Sequence, residues 1–272
     1  MMNDISVYNR IVRFIKQNRC EFAATLIVNN PGICDRVRNS TGNNLLHVAC
    51  LYDRESVAKL LFNSKSATEI NNNDYTPLYY CTFNDNEVLS RFFVSNGVKP
   101  DHMTFFNAVR TCSLTLIKVL FTRRNNINLV DHMNRNLLVH AIKQKRGYAI
   151  IDYIMSKCDI NQVDVYGSTP MHYACRCTRA GHDKVVLMLA KRGCDIIHRD
   201  MNNLSPIDYV RNIPLKVTIM GMCRNYARYH RRRHFLMFLA HYKFLRGDHS
   251  ANGAIETAFC LPEIHRHIMI YL

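Results

Sequence analysis

Gly167-Ser168-Thr169-Pro170-Met171-His172-Tyr173-Ala174 is the stretch on which the fold turns. Thr169 is a residue type that caps helices, and Pro170 suits a first helical turn, where its missing N–H has no partner to lose. Taken as a probe, the octapeptide recurs as Gly42-Asn43-Asn44-Leu45-Leu46-His47-Val48-Ala49 and as Asp74-Tyr75-Thr76-Pro77-Leu78-Tyr79-Tyr80-Cys81. Weaker copies begin at Asp101, Asn134 and Asn203 and end at Ala108, Ala141 and Val210. The six heads are separated by 32, 27, 33, 33 and 36 residues. All are Gly, Asn or Asp, the types that tolerate a left-handed backbone at a turn. On that basis Asn should replace Gly167 at little cost, while Val should cost about 1–2 kcal/mol of strain.

Each copy is followed by an apolar stretch of helical period, such as Val57-Ala58-Lys59-Leu60-Leu61, Leu116-Ile117-Lys118-Val119-Leu120 or Val185-Val186-Leu187-Met188-Leu189. Asn96-Gly97 and Arg192-Gly193 read as stops after two of these. A turn, two helices and a return at a period near 33 residues resembles the ankyrin repeat, over about residues 36–212. The resemblance implies an all-α solenoid that binds another macromolecule. The third copy departs from the pattern: it has no Thr-Pro start, and the loop before it is about six residues short of the period. A tight or missing hairpin is therefore expected near Lys99-Pro100-Asp101. The sixth copy has no clear second helix, so its packing partner should come from downstream. Residues 1–35 hold two amphipathic stretches, Val7 to Lys16 and Glu21 to Val28, suited to an N-terminal capping pair.

Composition narrows the classes. The 272 residues carry 36 Lys and Arg against 21 Asp and Glu, a formal charge of +15. Such an excess favours acidic partners: nucleic acid, an acidic protein surface or anionic lipid. No apolar run approaches the roughly 20 residues that cross a bilayer, so no membrane association is expected. Ile11 to Ile15 contains Arg13 and runs into Lys16, which rules it out as the apolar segment of a signal peptide. The 11 cysteines scatter singly. They read as reduced thiols in a cytoplasmic protein, or one that reaches the nucleus.

Few chemical sites suggest themselves. His172, Cys175, Cys177 and His182 cluster, but the His-x2-Cys-x-Cys-x4-His spacing fits no usual zinc motif, and His172 is accounted for by its repeat. Phosphate loops, nucleophile elbows and His-Glu-x-x-His pairs are missing, so no catalytic residue, metal or cofactor is expected. Asp159, Asp164 and Asp195 fall at repeat turns, where hydrogen bonding to backbone explains them. The candidate recognition residues are those at the turn tips: Asn72, Tyr75, His132, Arg135, Tyr166, Met201 and Asn202. They should be exposed and dispensable for folding.

Residues 213–272 form a basic, helical C-terminal module. Arg224, Arg228 and the run Arg231-Arg232-Arg233 are interleaved with Tyr226, Tyr229 and Tyr242, and no acid lies between Arg224 and Arg246. A solvated helix face, a nucleic-acid patch and a nuclear localisation signal all fit this run. Further on, Leu261, Pro262, Glu263 and Ile264 open a helix in which Ile264, Ile268 and Leu272 share one face. This segment resembles the start of an F-box, shortened by one residue, and the truncated F-box-like tails of poxvirus ankyrin-repeat proteins. A full three-helix F-box cannot be completed before Leu272. The resemblance implies a substrate adaptor that holds a host protein on its repeats and recruits a Skp–cullin–F-box ubiquitin ligase through its tail. The alternatives are a helix that caps the solenoid, a scaffold or IκB-like decoy that masks a signalling protein, and a basic nucleic-acid binder.

Overall fold

The computed structural model describes residues 4–121, 128–177, 183–210, 214, 215, 217–219 and 221. Among these residues the fold is a helical solenoid. A capping pair, α1 (Asp4–Lys16) and α2 (Cys20–Val28), and a short α3 (Ile33–Arg36) precede five helix pairs. The first helices of the pairs are α4 (Leu45–Leu51), α6 (Pro77–Phe83), α8 (His102–Thr111), α10 (Leu137–Lys143) and α12 (Pro170–Arg176). The second helices are α5 (Glu55–Leu61), α7 (Glu87–Ser95), α9 (Leu114–Leu120), α11 (Tyr148–Met155) and α13 (Asp183–Lys191). Each first helix packs on the next, α4 on α6 through to α10 on α12. A single 3-10 turn, Pro206–Tyr209, lies against α12 in the sixth copy.

The repeat period is set where those first helices touch. Ala49, Cys81, Ala108, Ala141 and Ala174 are all fully buried, one per helix at the same position. A small side chain there lets neighbouring helices approach closely, and close packing of the interior makes that spacing costly to change. The start of each helix is then fixed by a cap. Asn44, Thr76, Asp101 and Asn136 each accept a hydrogen bond from the backbone N–H three residues on, satisfying one of the amides a helix leaves without an internal partner.

Five β-hairpin-like turns precede these helices in the first, second, fourth, fifth and sixth copies, closed by Asn39–Asn43, Asn71–Tyr75, Asp131–Arg135, Asp164–Ser168 and Asp200–Leu204 backbone bonds. The first residue of each is Asn or Asp, and its Oδ1 accepts from the N–H groups two and four residues on. Successive hairpins also bond to one another, Asn72 N–H to Thr41 O and Met201 N–H to Tyr166 O. Gly42, Asp74, Asn134, Gly167 and Asn203 all have φ between 59° and 77°.

Two expectations are corrected here. Asp101 is not a left-handed turn residue: its φ is −84° and it is the N-cap of α8. The buried Ala108 keeps the repeat register, but α8 starts two residues early, and the third hairpin is missing altogether. Asn is also not an easy substitute for Gly167. A Cβ there would lie 3.0 Å from the Met201 nitrogen and 3.2 Å from the Asp200 Cα, both backbone atoms of the next hairpin. At Gly42 a Cβ would lie 2.9 Å from the Asn72 nitrogen. Asp74 and Asn203 have no hairpin stacked after them among the described residues, while Asn134 keeps its side chain beside the fifth hairpin, its Nδ2 donating to Val163 O at 2.7 Å, so the tight fit is particular to Gly42 and Gly167.

Buried histidines tie two of the repeats, the first and the fifth copies, to the hairpin that follows. His47 Nδ1 faces the Asn44 cap, and its Nε2 lies 3.0 Å from Tyr75 O in the following hairpin. His172 repeats the arrangement, with Nδ1 3.0 Å from Thr169 N and Nε2 3.2 Å from Leu204 O. A ring that accepts at Nδ1 and donates at Nε2 is neutral. Burial pushes the His47 imidazole down to about 4 and lowers His172 as well.

At the ends, Tyr8 donates to Asn43 O at 2.8 Å and joins the capping pair to the first hairpin. The described residues after Pro214 are helical, with Leu215 and Ile219 buried in the same core cluster as the repeats. Arg224 to Leu272, and with them every candidate residue of the basic patch and tail, lie outside the described residues. No described helix is long and apolar enough to cross a membrane.

The turn and histidine contacts are both testable by unfolding. Gly167→Asn should destabilise the protein by about 1–3 kcal/mol and Gly167→Val by at least as much, whereas Asn203→Gly should stay within about 0.5 kcal/mol in urea unfolding. Equal midpoints for Gly167→Asn and the parent would contradict the close approach. For the histidines, the folded state holds the neutral ring while the unfolded chain titrates near 6.5. Their contribution is whole above about pH 6.5 and is lost as the pH falls towards 4, so the unfolding midpoint should drop over that window. His47→Asn should flatten the drop.

Candidate protein-binding surface

The hairpin tips and the exposed sides of the first helices line one face of the solenoid. Of the tip residues singled out in the sequence, His132, Asn202, Tyr166 (55% exposed) and Met201 (75% exposed) project from the framework. Asn72 is exposed but employed: its Nδ2 donates to Ser40 O at 3.1 Å. Tyr75 and Arg135 are not free tips. The Tyr75 ring stacks on Tyr79 at 3.9 Å with planes 6° apart. Arg135 is held by Asp131 through Nε at 2.8 Å and Nη2 at 2.7 Å. Both side chains fold back because an aromatic and a carboxylate wait for them beside the hairpin; the octapeptide pattern carries no trace of either.

Asp131 gathers the densest polar cluster on this face. Burial pushes its carboxyl up, but hydrogen bonds from the Arg135 side chain and backbone and from His140 outweigh this and hold it well below the usual carboxylate range. His140 Nε2 sits 2.9 Å from Asp131 Oδ2, and burial still lowers this imidazole. Asp164 accepts the Tyr173 hydroxyl at 2.5 Å, and Asp200 accepts that of Tyr209 at 2.5 Å and Arg176 at 2.9 Å. These acids brace hairpins. They are already saturated with donors, as hydrogen bonding to backbone at repeat turns leads one to expect.

Beyond the tips, the face carries residues that the turn pattern did not single out. Arg110, Lys143 and Arg176 each stand two positions after the buried alanine of α8, α10 and α12, and all three are exposed. Counting from Ala108, Ala141 and Ala174 would have found them. Between α6, α8 and α10 lies a cleft of about 180 Å³, lined by Tyr75, Tyr79, Met103, Phe106, Arg110 and His140. Small-molecule sites usually span 300–1,000 Å³, so this one is sized for a single side chain.

The cysteine and histidine cluster dissolves into the repeat. His172 is committed to Thr169 and Leu204, Cys175 is fully buried and its thiol is pushed up to about 12 by burial, and His182 lies outside the described residues. Among the described residues no three His, Cys, Asp or Glu side chains converge as a metal set, and none of the nine described cysteines is in a disulfide.

A family model for ankyrin repeats matches residues 11–104 and again 105–200. The chain belongs to the ankyrin-repeat family. It is 33% identical over 58 residues to an ankyrin repeat protein of Rickettsia bellii (strain RML369-C), a stretch covering 21% of this chain and 58% of that relative. Among solved structures, it is similar to the ankyrin repeat domain of Bcl-3, a member of the IkappaB protein family, with TM-score 0.67 and 18% identity over 79% of this chain and 97% of that one. The human ASB11 ankyrin repeat domain matches with TM-score 0.64 and 16% identity over 78% and 96%. At such identities the two structures share the fold. An ankyrin solenoid is a protein–protein interaction module: stacked repeats bury one continuous core and leave an extended surface for a partner.

The division between free and employed tips is measurable. Replacing His132, Tyr166, Met201 and Asn202 together by Ser should leave the thermal midpoint almost unchanged. Tyr75→Ala and Arg135→Ala should each cost about 1–2 kcal/mol, through lost stacking and a broken charge-assisted pair. A large loss from the first set would mean that those tips also hold the fold.

Proposed function

We propose that this ankyrin-repeat protein is a non-catalytic adaptor of viral type. It holds a host protein on the tip-and-helix face and recruits a Skp–cullin ubiquitin ligase through the tail that begins at Leu261-Pro262-Glu263-Ile264. The observation that carries the first half is the exposure of Tyr166 and Met201 on hairpins whose own hydrogen bonds are complete. Apolar side chains that the fold does not use, presented side by side on a rigid frame, are what a partner buries. The second half is supported by the sequence of the tail and by the shared apolar face of Ile264, Ile268 and Leu272. No step needs a nucleophile, a metal or a cofactor. Cysteines without a disulfide among the described residues suit a reducing compartment, so the site of action is the cytoplasm, with the basic run as a route to the nucleus.

The test uses the full chain beside an Ile264→Asp/Ile268→Asp variant, with circular dichroism, a target pull-down and a ligase pull-down. The adaptor reading expects a folded variant that keeps its target and loses the ligase. Loss of fold together with both interactions would make the tail a cap whose apolar face is buried, since a carboxylate forced into such a contact costs several kcal/mol. A folded variant that still recruits the ligase would refute the tail assignment. A chain that binds its target and recruits no ligase with either sequence would be a decoy.

A further inference from the structure

The cleft between α6, α8 and α10 exists because the third hairpin is missing. In the neighbouring copies a hairpin stands before the first helix. Here the chain runs from Gly97 straight into the Asp101 cap, and two extra residues are wound into α8. Met103 is left 41% exposed. Phe106 stacks on His102 at 4.6 Å and meets the edge of His140 at 4.6 Å. The result is an apolar notch in an otherwise continuous row of turns.

Charge on the same face is one-sided. The acids in segments 101–111, 131–143 and 164–176 are Asp101, Asp131 and Asp164. Asp101 is taken by the Thr76 hydroxyl and the Thr104 N–H, both at 2.7 Å, Asp131 by Arg135 and His140, and Asp164 by Tyr173 and its own hairpin. Asp131 is neutralised by Arg135, and the oxygens of Asp101 and Asp164 are occupied by donors of the cap and the hairpin. Arg110 and Lys143, by contrast, have no carboxylate partner among the described residues, and Arg176 shares one with Tyr209. Arg110 lines the notch, while Lys143 and Arg176 both stand over the Tyr173 ring, at 5.8 and 5.7 Å. Two cations without a carboxylate partner among the described residues, Arg110 and Lys143, thus lie beside the notch, and Arg176 beyond them is held by Asp200, Ser168 and the Tyr209 ring.

We propose that this face takes an extended acidic segment of a partner protein, anchored by one bulky apolar side chain in the notch. Its flanking carboxylates meet Arg110 and Lys143. This deepens the adaptor reading and rests on it. Cations and aromatics together also suit single-stranded nucleic acid, but that needs open ring faces for bases to stack on. Here Tyr75 and Tyr79 cover each other, Phe106 is covered by His102, and Tyr173 by the two cations. What remains open is a hole sized for one side chain, with positive charge beside it. That combination gives a buried anchor and a charged rim, the usual division of affinity and steering in a protein interface.

The test is a selection of random displayed peptides of about a dozen residues on the full-length protein. Enriched peptides should carry carboxylates on both sides of a Leu, Phe, Tyr or Met. They should bind Arg110→Glu/Lys143→Glu at least about tenfold more weakly, and Met103→Ser more weakly too, with circular dichroism unchanged. Arg110→Gln/Lys143→Gln should fall between. Tyr166→Ser/Met201→Ser should have little effect on these peptides. Neutral or basic selected sequences, or full binding to the charge-reversed variant, would overturn the proposal. So would oligo-dT binding that is lost on the same substitutions and displaces the peptides. Peptides lost with Tyr166→Ser/Met201→Ser and indifferent to Arg110 would remove the notch while leaving the tip surface standing. Peptides indifferent to every one of these changes would remove both.

Discussion

One side-chain oxygen on the first residue of each hairpin holds the turn through which successive hairpins meet. Asn39, Asn71, Asp131, Asp164 and Asp200 each satisfy two backbone amides that the tight turn would otherwise leave without partners, a deficit worth a few kcal/mol where the turn is shielded from water. The cap residue follows the turn, and the first helix starts there. In the first and fifth copies a buried histidine of that helix, His47 or His172, then reaches the next hairpin.

The same residues shape the surface charge. In the last three hairpins the head is Asp, and its second oxygen is engaged by a residue nine positions on: His140, Tyr173 and Tyr209. Asn71 makes the equivalent bond to Tyr80. Carboxylates spent in this way have their oxygens occupied, and Asp131 is neutralised by Arg135. The cations along α8 and α10 are left to set the character of the face, in keeping with the overall excess of Lys and Arg.

The third repeat shows what happens when the device is withheld. Without a hairpin head the turn is dropped and α8 lengthens at its start. The stack of first helices continues unbroken, because Ala108 still supplies the small contact residue. Packing of the helices and stacking of the hairpins are therefore separable, and the gap between them is the notch lined by Met103 and Phe106. In the terms of the proposed function, an irregularity in the repeat is what distinguishes one stretch of the face from the others.

The fold class and the helix register were legible in the chain itself. Gly, Asn or Asp at a left-handed turn, a capping residue two positions on and a small residue seven positions on recur because local backbone chemistry demands them, and local demands leave a periodic mark. The shortened loop before Asp101 gave away the missing hairpin, although not that Asp101 itself would become the cap. What the chain did not disclose was set by which side chains meet once the turns are formed and the repeats are stacked. Gly167 looked exchangeable with Asn, since both accept a positive φ; the approach of Asp200 and Met201 from the next hairpin leaves a Cβ there less room than these neighbours allow without shifting. Tyr75 and Arg135 looked like free tips because the repeat pattern does not specify their partners; Tyr79 four residues on and Asp131 four residues back are brought against them by the conformation of the turn. The pair of Arg110 and Lys143 exists only when their two helices stand side by side. Turn and cap preferences act within a few residues, so sequence carries them openly, whereas spacing between repeats is decided by packing, and packing alone brings distant side chains together.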